Sequence, residues 1–352
     1  MRPNLHEADL RLENLQGADL NGANLSDAAL ANSDLAGADL SDGTLPGAVL
    51  TDANLIGADL TNSLLDQATF TGADLSSTSL DGASLDYEIS GGIVGTPASL
   101  PTGWTLVDGY LVGNTANLIG SNLSGASIDD ANLSDANLTN ANLSSATITN
   151  DDLSNTKLLG ATLTHAKSGG ISGTPSSLPV NWTVVDGHLV GPGADLADDN
   201  FTGADLTGAD LKGAYLNDAV LSNVSLAGAK LNGVSSGGVT GTPATLPTGW
   251  ALIGGYLLVP LVFGQSVTFQ LPAGTRGAAY SFSMAVTGGR APFTWKSTQT
   301  LPKGLMLSPS GVLSGIPKSK LTPGKYSIDV KVTDSTQPYH QVAAAVLTLV
   351  LL

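Results

Sequence analysis

The sequence predicts an all-β protein in two parts: a long solenoid that turns once every five residues, then a shorter unit of strands and turns. Three observations carry this. Leucine stands at every fifth residue from Leu5 to Leu85, with Phe70 the one substitute, and the period resumes over Leu118–Leu163 and Leu196–Leu231. Charge divides sharply, since residues 1–259 hold 28 acids and 6 bases while residues 260–352 hold 2 acids and 8 bases. Finally, 42% of the 352 residues are hydrophobic, enough to bury a core and to exclude a disordered chain.

A period of five fits neither regular element. On an α-helix each successive leucine would advance by about 500°, winding the row around every side. On a continuous strand the leucines would alternate between faces, because the side-chain period is two. The chain must therefore turn once per unit. Small residues two positions before the leucine, such as Ala18, Ala23, Ala28 and Ser33, then point inward with it. Asp, Asn, Gly, Ser and Thr fill the other positions and suit turns facing water.

The unit Ala-(Asp/Asn)-Leu-x-x, in tandem over residues 1–85, 116–165 and 194–233, resembles the pentapeptide-repeat family. The resemblance implies a right-handed quadrilateral β-helix, with four pentapeptides per coil and Leu or Phe stacked in the core. Each leucine from Leu10 to Leu80 is then expected to be buried in one of four columns, as for Leu25, Leu45 and Leu65. Stability would accumulate from neighbouring coils. Leu5 and Leu10 are already in register, so the N-terminal end carries no cap and is expected to continue upstream or to be covered by a partner, including a second copy.

A longer repeat lies inside the first. Ser90-Gly91-Gly92-Ile93 recurs as Ser168-Gly169-Gly170-Ile171 and Ser236-Gly237-Gly238-Val239, each followed by Gly-Thr-Pro, Leu-Pro and then Trp104, Trp182 or Trp250. These inserts, about 90–113, 168–191 and 236–259, occupy the next repeat centre with their serine. The repeat resumes after the same interval both times, from Leu85 to Leu118 and from Leu163 to Leu196. Such phase-keeping predicts an enlarged coil or a side hairpin turning at Val107-Asp108-Gly109, with one shared conformation and mostly buried tryptophans. The third copy has no resumption, so the solenoid (1–259) is expected to end there.

Residues 260–352 change to strands at Ser266–Gln270, Ala279–Val286, Phe293–Lys296, Lys325–Val332 and Val342–Leu351. Tyr326–Val332 alternates apolar and polar, the mark of a half-buried strand. Leu301-Pro302-Lys303-Gly304-Leu305, Ser310–Pro317 and Val332-Thr333-Asp334-Ser335 make this part similar to the Ig-like domains of bacterial surface proteins, which implies a β-sandwich serving as spacer or binding module.

Little catalytic chemistry is visible. The chain has no cysteine, and His6, His165, His188 and His340 stand apart without metal-ligand spacing. No catalytic, cofactor-binding or metal site is assigned, and the protein reads as no enzyme. Asp pairs on adjacent coils could hold Ca²⁺ through oxygens, though Asp simply fills an outward slot of the unit. Asn122, Asn132, Asn137 and Asn142 head Asn-x-Ser/Thr sequons that the repeat itself generates. Trp104, Trp182 and Trp250 read as anchors of the inserts rather than as a sugar-stacking stripe.

A net charge of −16 argues against direct nucleic-acid binding. The preferred reading is a structural, adhesive or protein-binding scaffold, an acidic rod carrying an Ig-like module, with a protein or cell-surface partner. The Ig-like resemblance favours an extracellular or surface location; no secretory segment follows Met1, which suits the cytoplasm, and Val342–Leu352 is too short to span a bilayer. The alternative comes from the resemblance: some pentapeptide-repeat proteins mimic DNA and occupy the DNA site of type II topoisomerases such as gyrase. Assigned in rotation to four faces, the acids of the first block number four, two, three and five, so no face dominates.

Overall fold

The computed structural model describes residues 2–263, 268–335 and 340–352, and its contacts divide the chain into two units, Met1–Thr245 and Leu246–Leu352. The contact break after Thr245 and the charge break at Val259–Pro260 bracket the third tryptophan segment.

In the first unit, the residue before each repeat leucine pairs in parallel with its counterpart four pentapeptides on: Asn4 with Asn24, Asp9 with Ala29, Asn14 with Asp34, Asp19 with Asp39. Four pentapeptides thus make one four-walled coil of a quadrilateral β-helix. Coils are joined by backbone hydrogen bonds such as Leu25 N–H to the Thr44 carbonyl (2.7 Å) and Thr44 N–H to the Ala23 carbonyl (2.9 Å). Each corner closes when a leucine carbonyl accepts the N–H of the third residue after it, as from Ala28 to Leu25 at 3.0 Å. The second residue after the leucine takes positive φ, 55° at Asp27 and 58° at Asn32. Asp, Asn and Gly tolerate that conformation best, which is why they recur there. Leu12 departs from the rule, with φ of 63° and 79% exposure.

Leucines and the small residues two before them form the core, with every repeat centre from Leu25 to Leu80 buried and Phe70 the largest. Leu10 and Leu15 correct the expectation of uniform burial. They belong to the first coil, have core on one side only, and are half-buried.

The inserts are hairpins. Strands β1 (Thr105–Val107) and β2 (Tyr110–Val112) pair antiparallel, and β3 (Thr147–Thr149) and β4 (Lys167–Gly169) are parallel neighbours on successive coils. The hairpin recurs as β5 (Thr183–Val185) with β6 (His188–Val190), and in the second unit as β7 (Ala251–Ile253) with β8 (Tyr256–Leu258). Both turn residues have positive φ in all three, 48° and 80° at Asp108-Gly109, for example, the I′ geometry suited to two-residue hairpins. The start of the first insert continues the coil, since Val94 pairs with Asp74 and Ser99 with Ser79. The ladder then steps from Ile89 to Asn117, and in the second insert from Lys167 to Asp195, further than the four pentapeptides of an ordinary coil. Enlarged coil and side hairpin are therefore one object. The hairpin turn folds back on the start of its own insert, where Ile93 N–H donates to the Gly109 carbonyl at 3.1 Å and Ile171 N–H to that of Gly187 at 3.0 Å. One core cluster runs from Leu20 to Leu111 and the next from Val112 to Leu189, with Trp104 packed against both.

The second unit continues with β9 (Val262–Phe263), β10 (Thr268–Gln270), β11 (Tyr280–Ser283), β12 (Val286–Thr287), β13 (Thr294–Ser297), β14 (Leu305–Leu307), β15 (Val312–Gly315), β16 (Gly324–Thr333) and β17 (Val342–Leu351). One sheet has the order β10-β17-β16-β13, a second β11-β15-β14, and β9 pairs with β12. Ile328, Val330 and Val332 of β16 and Leu347, Leu349 and Leu351 of β17 bury against Tyr280, Leu305 and Leu313 of the second sheet, which makes the Ig-like sandwich. Ala279–Val286 is two strands rather than one, and residues 266 and 267 of Ser266–Gln270 lie outside the described residues. Strands β14 and β15 are too short to show a period in the sequence.

Candidate functional site

The hairpin layers and the carboxylates around them hold the unusual chemistry of the chain. Ser90 and Ser168 sit in the slot of a repeat leucine because the hairpin needs the volume. Their hydroxyls accept the Leu111 and Leu189 N–H groups at 3.0 and 2.8 Å, and these two leucines fill the core instead. Trp104, Trp182 and Trp250 occupy matching places, each backbone N–H donating to the carbonyl of Pro101, Pro179 or Pro247 at 3.0–3.1 Å. All three indoles are mostly buried, as expected, though none is completely so. Trp104 lies over Gly113 and Trp182 over Gly191, so close that a Cβ there would stand 2.4 and 2.2 Å from ring carbons. One ring face is thus taken by backbone, as an anchor requires. Val259 stands at the third equivalent position, where no resumption of the solenoid follows.

Three carboxylates occupy inward slots that the repeat gives to Ala or Ser. Glu88 is fully buried, with Oε1 accepting from the Ser90 hydroxyl at 3.1 Å and Oε2 without a partner. Burial pushes its carboxyl up to about 8, against the smaller downward pull of Ser90 and backbone amides. Asp151, also fully buried, accepts the Ala131 N–H at 2.8 Å, and burial raises it to about 7, with Asp129 and Asp130 adding to the rise. Asp199 lies 3.2 Å from His188 Nδ1, which is also 3.1 Å from the Ser168 carbonyl. The Asp199 carboxylate beside it holds the His188 imidazolium above its ordinary range, with burial opposing. The corresponding residues of the first layer are Tyr110 and Ser121, so a neutral pair has been exchanged for a charged one. Sequence reasoning passes over these acids, although each stands two positions before a repeat centre, Ser90, Leu153 or Phe201.

The structure does not bring the histidines together. His6 contacts Glu7 at 3.3 Å, His165 packs edge-on against Tyr215, and His340 is exposed. The sequon asparagines are ladder residues whose carbonyls serve their own turns: Asn132, Asn137 and Asn142 each accept from the hydroxyl two residues on, and Asn142 also donates to Asn122 at 3.1 Å. Among the described residues no three His, Asp or Glu side chains group to hold a metal ion.

The outward acids are ordered more strongly than a count by face conveys. Asp19 pairs with Asp39 and Asp39 with Asp59, so three carboxylates stack in one column of one wall. Each stacked carboxylate accepts the N–H two residues on, at 3.3, 3.0 and 2.9 Å. Asp42 and Asp81 follow leucines of the same column.

A family profile described as pentapeptide repeats matches residues 8–52, 48–86, 116–150 and 200–235. The chain is a pentapeptide-repeat protein. A second profile, described as "Putative Ig domain", matches residues 261–349, so the architecture joins a pentapeptide-repeat solenoid to an Ig-like domain. Among solved structures, the pentapeptide-repeat protein HetL, involved in heterocyst differentiation regulation in the cyanobacterium Nostoc sp. strain PCC 7120, is 25% identical, covers 70% of this chain and 92% of its own, and superposes with a TM-score of 0.20. Full-length QnrB1, a plasmid-mediated fluoroquinolone resistance protein, is 18% identical over 65% of this chain and 89% of its own, with a TM-score of 0.15. A pentapeptide-repeat protein of the Arabidopsis thaliana thylakoid lumen is 25% identical over 45% of this chain and 69% of its own, with a TM-score of 0.09. No curated protein sequence matches the chain significantly.

Proposed function

We propose that this pentapeptide-repeat protein is a binding scaffold whose acidic wall docks into a basic groove of a protein that otherwise holds nucleic acid. The observation that carries the reading is the column Asp19–Asp39–Asp59. At a sheet spacing of about 4.8 Å it offers one carboxylate per layer, a regular row of negative charge like the phosphates of one DNA strand, which recur every roughly 3.4 Å of helix axis. A type II topoisomerase is the partner class with such a groove. The scaffold should inhibit supercoiling by such an enzyme, and added salt should weaken the effect. The triple change Asp19→Asn, Asp39→Asn and Asp59→Asn should abolish it while the fold persists. No inhibition at low salt, or equal inhibition by the triple variant, would reject the proposal.

The Ig-like unit favours a second reading, an adhesive or spacer role at the cell surface. Its eight bases against two acids suit a different partner from that of the acidic wall. Surface display detected on intact cells, with topoisomerases unaffected, would decide for it.

A further inference from the structure

A cleft of about 340 Å³ opens beside the second hairpin, between β5 and the coil that follows it. Trp182 forms one side. One face of its indole covers Gly191, and Trp182, mostly buried but still partly exposed, is among the residues that line the cleft. Asp205, Thr207, Asp210 and Lys230 of the neighbouring coils line the same cleft, as does Thr183, next to the tryptophan in the chain. Asp210 is buried, at 7% exposure, and its Oδ2 holds Lys230 Nζ at 2.9 Å. An aromatic ring, carboxylates, an ammonium group and hydroxyls lining one cleft together offer an apolar platform and hydrogen-bond partners of both kinds within one small volume. That size is at the lower end of ligand sites, roughly 300–1,000 Å³.

The charges narrow the ligand class. Two carboxylates against one ammonium leave the cleft negative, which disfavours phosphates, sulfated glycans and uronic acids. Lys230 already neutralises Asp210, so the pair is not a free cation site. A neutral pyranose meets every condition: its axial C–H face can lie on the indole, its hydroxyls can donate to Asp205 and Asp210, and its oxygens can accept from Lys230. The first layer shows that the arrangement does not come with the hairpin. Trp104 is retained there, but Ser127, Asn132 and Asp152 stand where Asp205, Asp210 and Lys230 stand in the second. The acceptor-and-cation set surrounds one of these two tryptophans only.

We propose that the Trp182 cleft is a binding site for a neutral saccharide of one or two pyranose units. It is separate from the acidic wall of the first block and does not depend on the docking proposed above.

The test is calorimetric titration of the full chain with cellotetraose, tetra-N-acetylchitotetraose and maltotetraose, with tetragalacturonate and a lysine-rich peptide as comparisons. At least one neutral tetramer should bind, and tetragalacturonate should not. Trp182→Ala should weaken binding by about tenfold or more, equivalent to at least ~1.4 kcal/mol, while Trp104→Ala leaves it unchanged. Because Trp182 also anchors its hairpin, Asp205→Asn and Lys230→Gln on the exposed rim provide variants that do not disturb the anchor, and each should weaken binding severalfold. Failure of all three neutral tetramers at millimolar concentration overturns the proposal. So does affinity unaltered in both rim variants, or binding of the basic peptide in place of a sugar.

Discussion

Replacing Glu88 by Gln should make the β-helix more stable, and increasingly so as pH rises. An unfolded glutamate releases its proton near 4.5, whereas the buried Glu88 keeps it to about 8. Between those values the unfolded chain binds fewer protons than the folded one, so stability falls with rising pH. Each pH unit costs ~1.4 kcal/mol, which amounts to roughly 3 kcal/mol by pH 7 and roughly 5 kcal/mol once pH exceeds 8. The amide of Glu88→Gln retains the shape and a partner for the Ser90 hydroxyl but carries no proton to lose. The sister layers show that the slot tolerates a neutral side chain, since Ala166 and Val234 occupy it there. Urea unfolding of the full chain and of Glu88→Gln, followed by far-ultraviolet circular dichroism at pH 4.5, 6, 7 and 8.5, measures the difference directly. Asp151 titrates in both proteins and cancels. The two proteins should unfold nearly together at pH 4.5 and separate progressively above it. A difference that stays flat across the range, or one that grows as pH falls, would overturn this account of the buried carboxyl.

Two further outcomes are expected. Leu45→Ala removes a fully buried member of a core column and should cost about 2–5 kcal/mol, read as a lowered urea midpoint of the first block. The His188–Asp199 pair should give the second hairpin a pH dependence of the same sign as Glu88 by the opposite chemistry: its contribution is complete below the ordinary histidine range near 6.5 and is lost as pH rises through the elevated folded value. The double change His188→Tyr with Asp199→Ser copies the first layer and should remove that dependence, as judged by the protection of the Leu189 amide against hydrogen exchange between pH 5 and 8.

The repeat makes the solenoid legible because one residue in five must enter the core, and no helix or flat strand satisfies that demand. Even the phase of the inserts can be read, since Ser90 and Ser168 hold the register of a leucine. Burial at the first coil cannot be read from the unit alone. Leu10 and Leu25 are the same letter in the same slot, and they differ only in how many coils lie against them. The acidic surface is partly hidden for a similar reason. Counting acids by face ignores stacking, and it is the step of four pentapeptides that sets Asp19, Asp39 and Asp59 in line. Glu88, Asp151 and Asp199 are open to a reader who asks which slots break the rule of small side chains, but their protonation depends on burial between neighbouring coils. The cleft beside Trp182 is out of reach, because Lys230 approaches Asp210 only when two coils are stacked. In the Ig-like unit, long strands announce themselves by alternation, whereas β14 and β15 are defined by their neighbours.

The interval between the first two inserts has a consequence for where each hairpin points. Ile89 belongs to the ladder that runs through Asn117, Asn137 and Lys157, whereas Lys167 belongs to the one through Ser127 and Thr147. Those two columns stand two pentapeptides apart around a four-sided coil, on opposite walls. The ten repeat centres from Leu118 to Leu163 make two and a half coils, and the half coil is what turns the second hairpin away from the first. Repeat number therefore acts as an indexing wheel. One pentapeptide more or fewer in that block would swing the Trp182 layer by a quarter turn while leaving every leucine in a core slot. A lineage could re-aim a hairpin, and whatever it carries, by gaining or losing five residues, with no change to the hairpin itself.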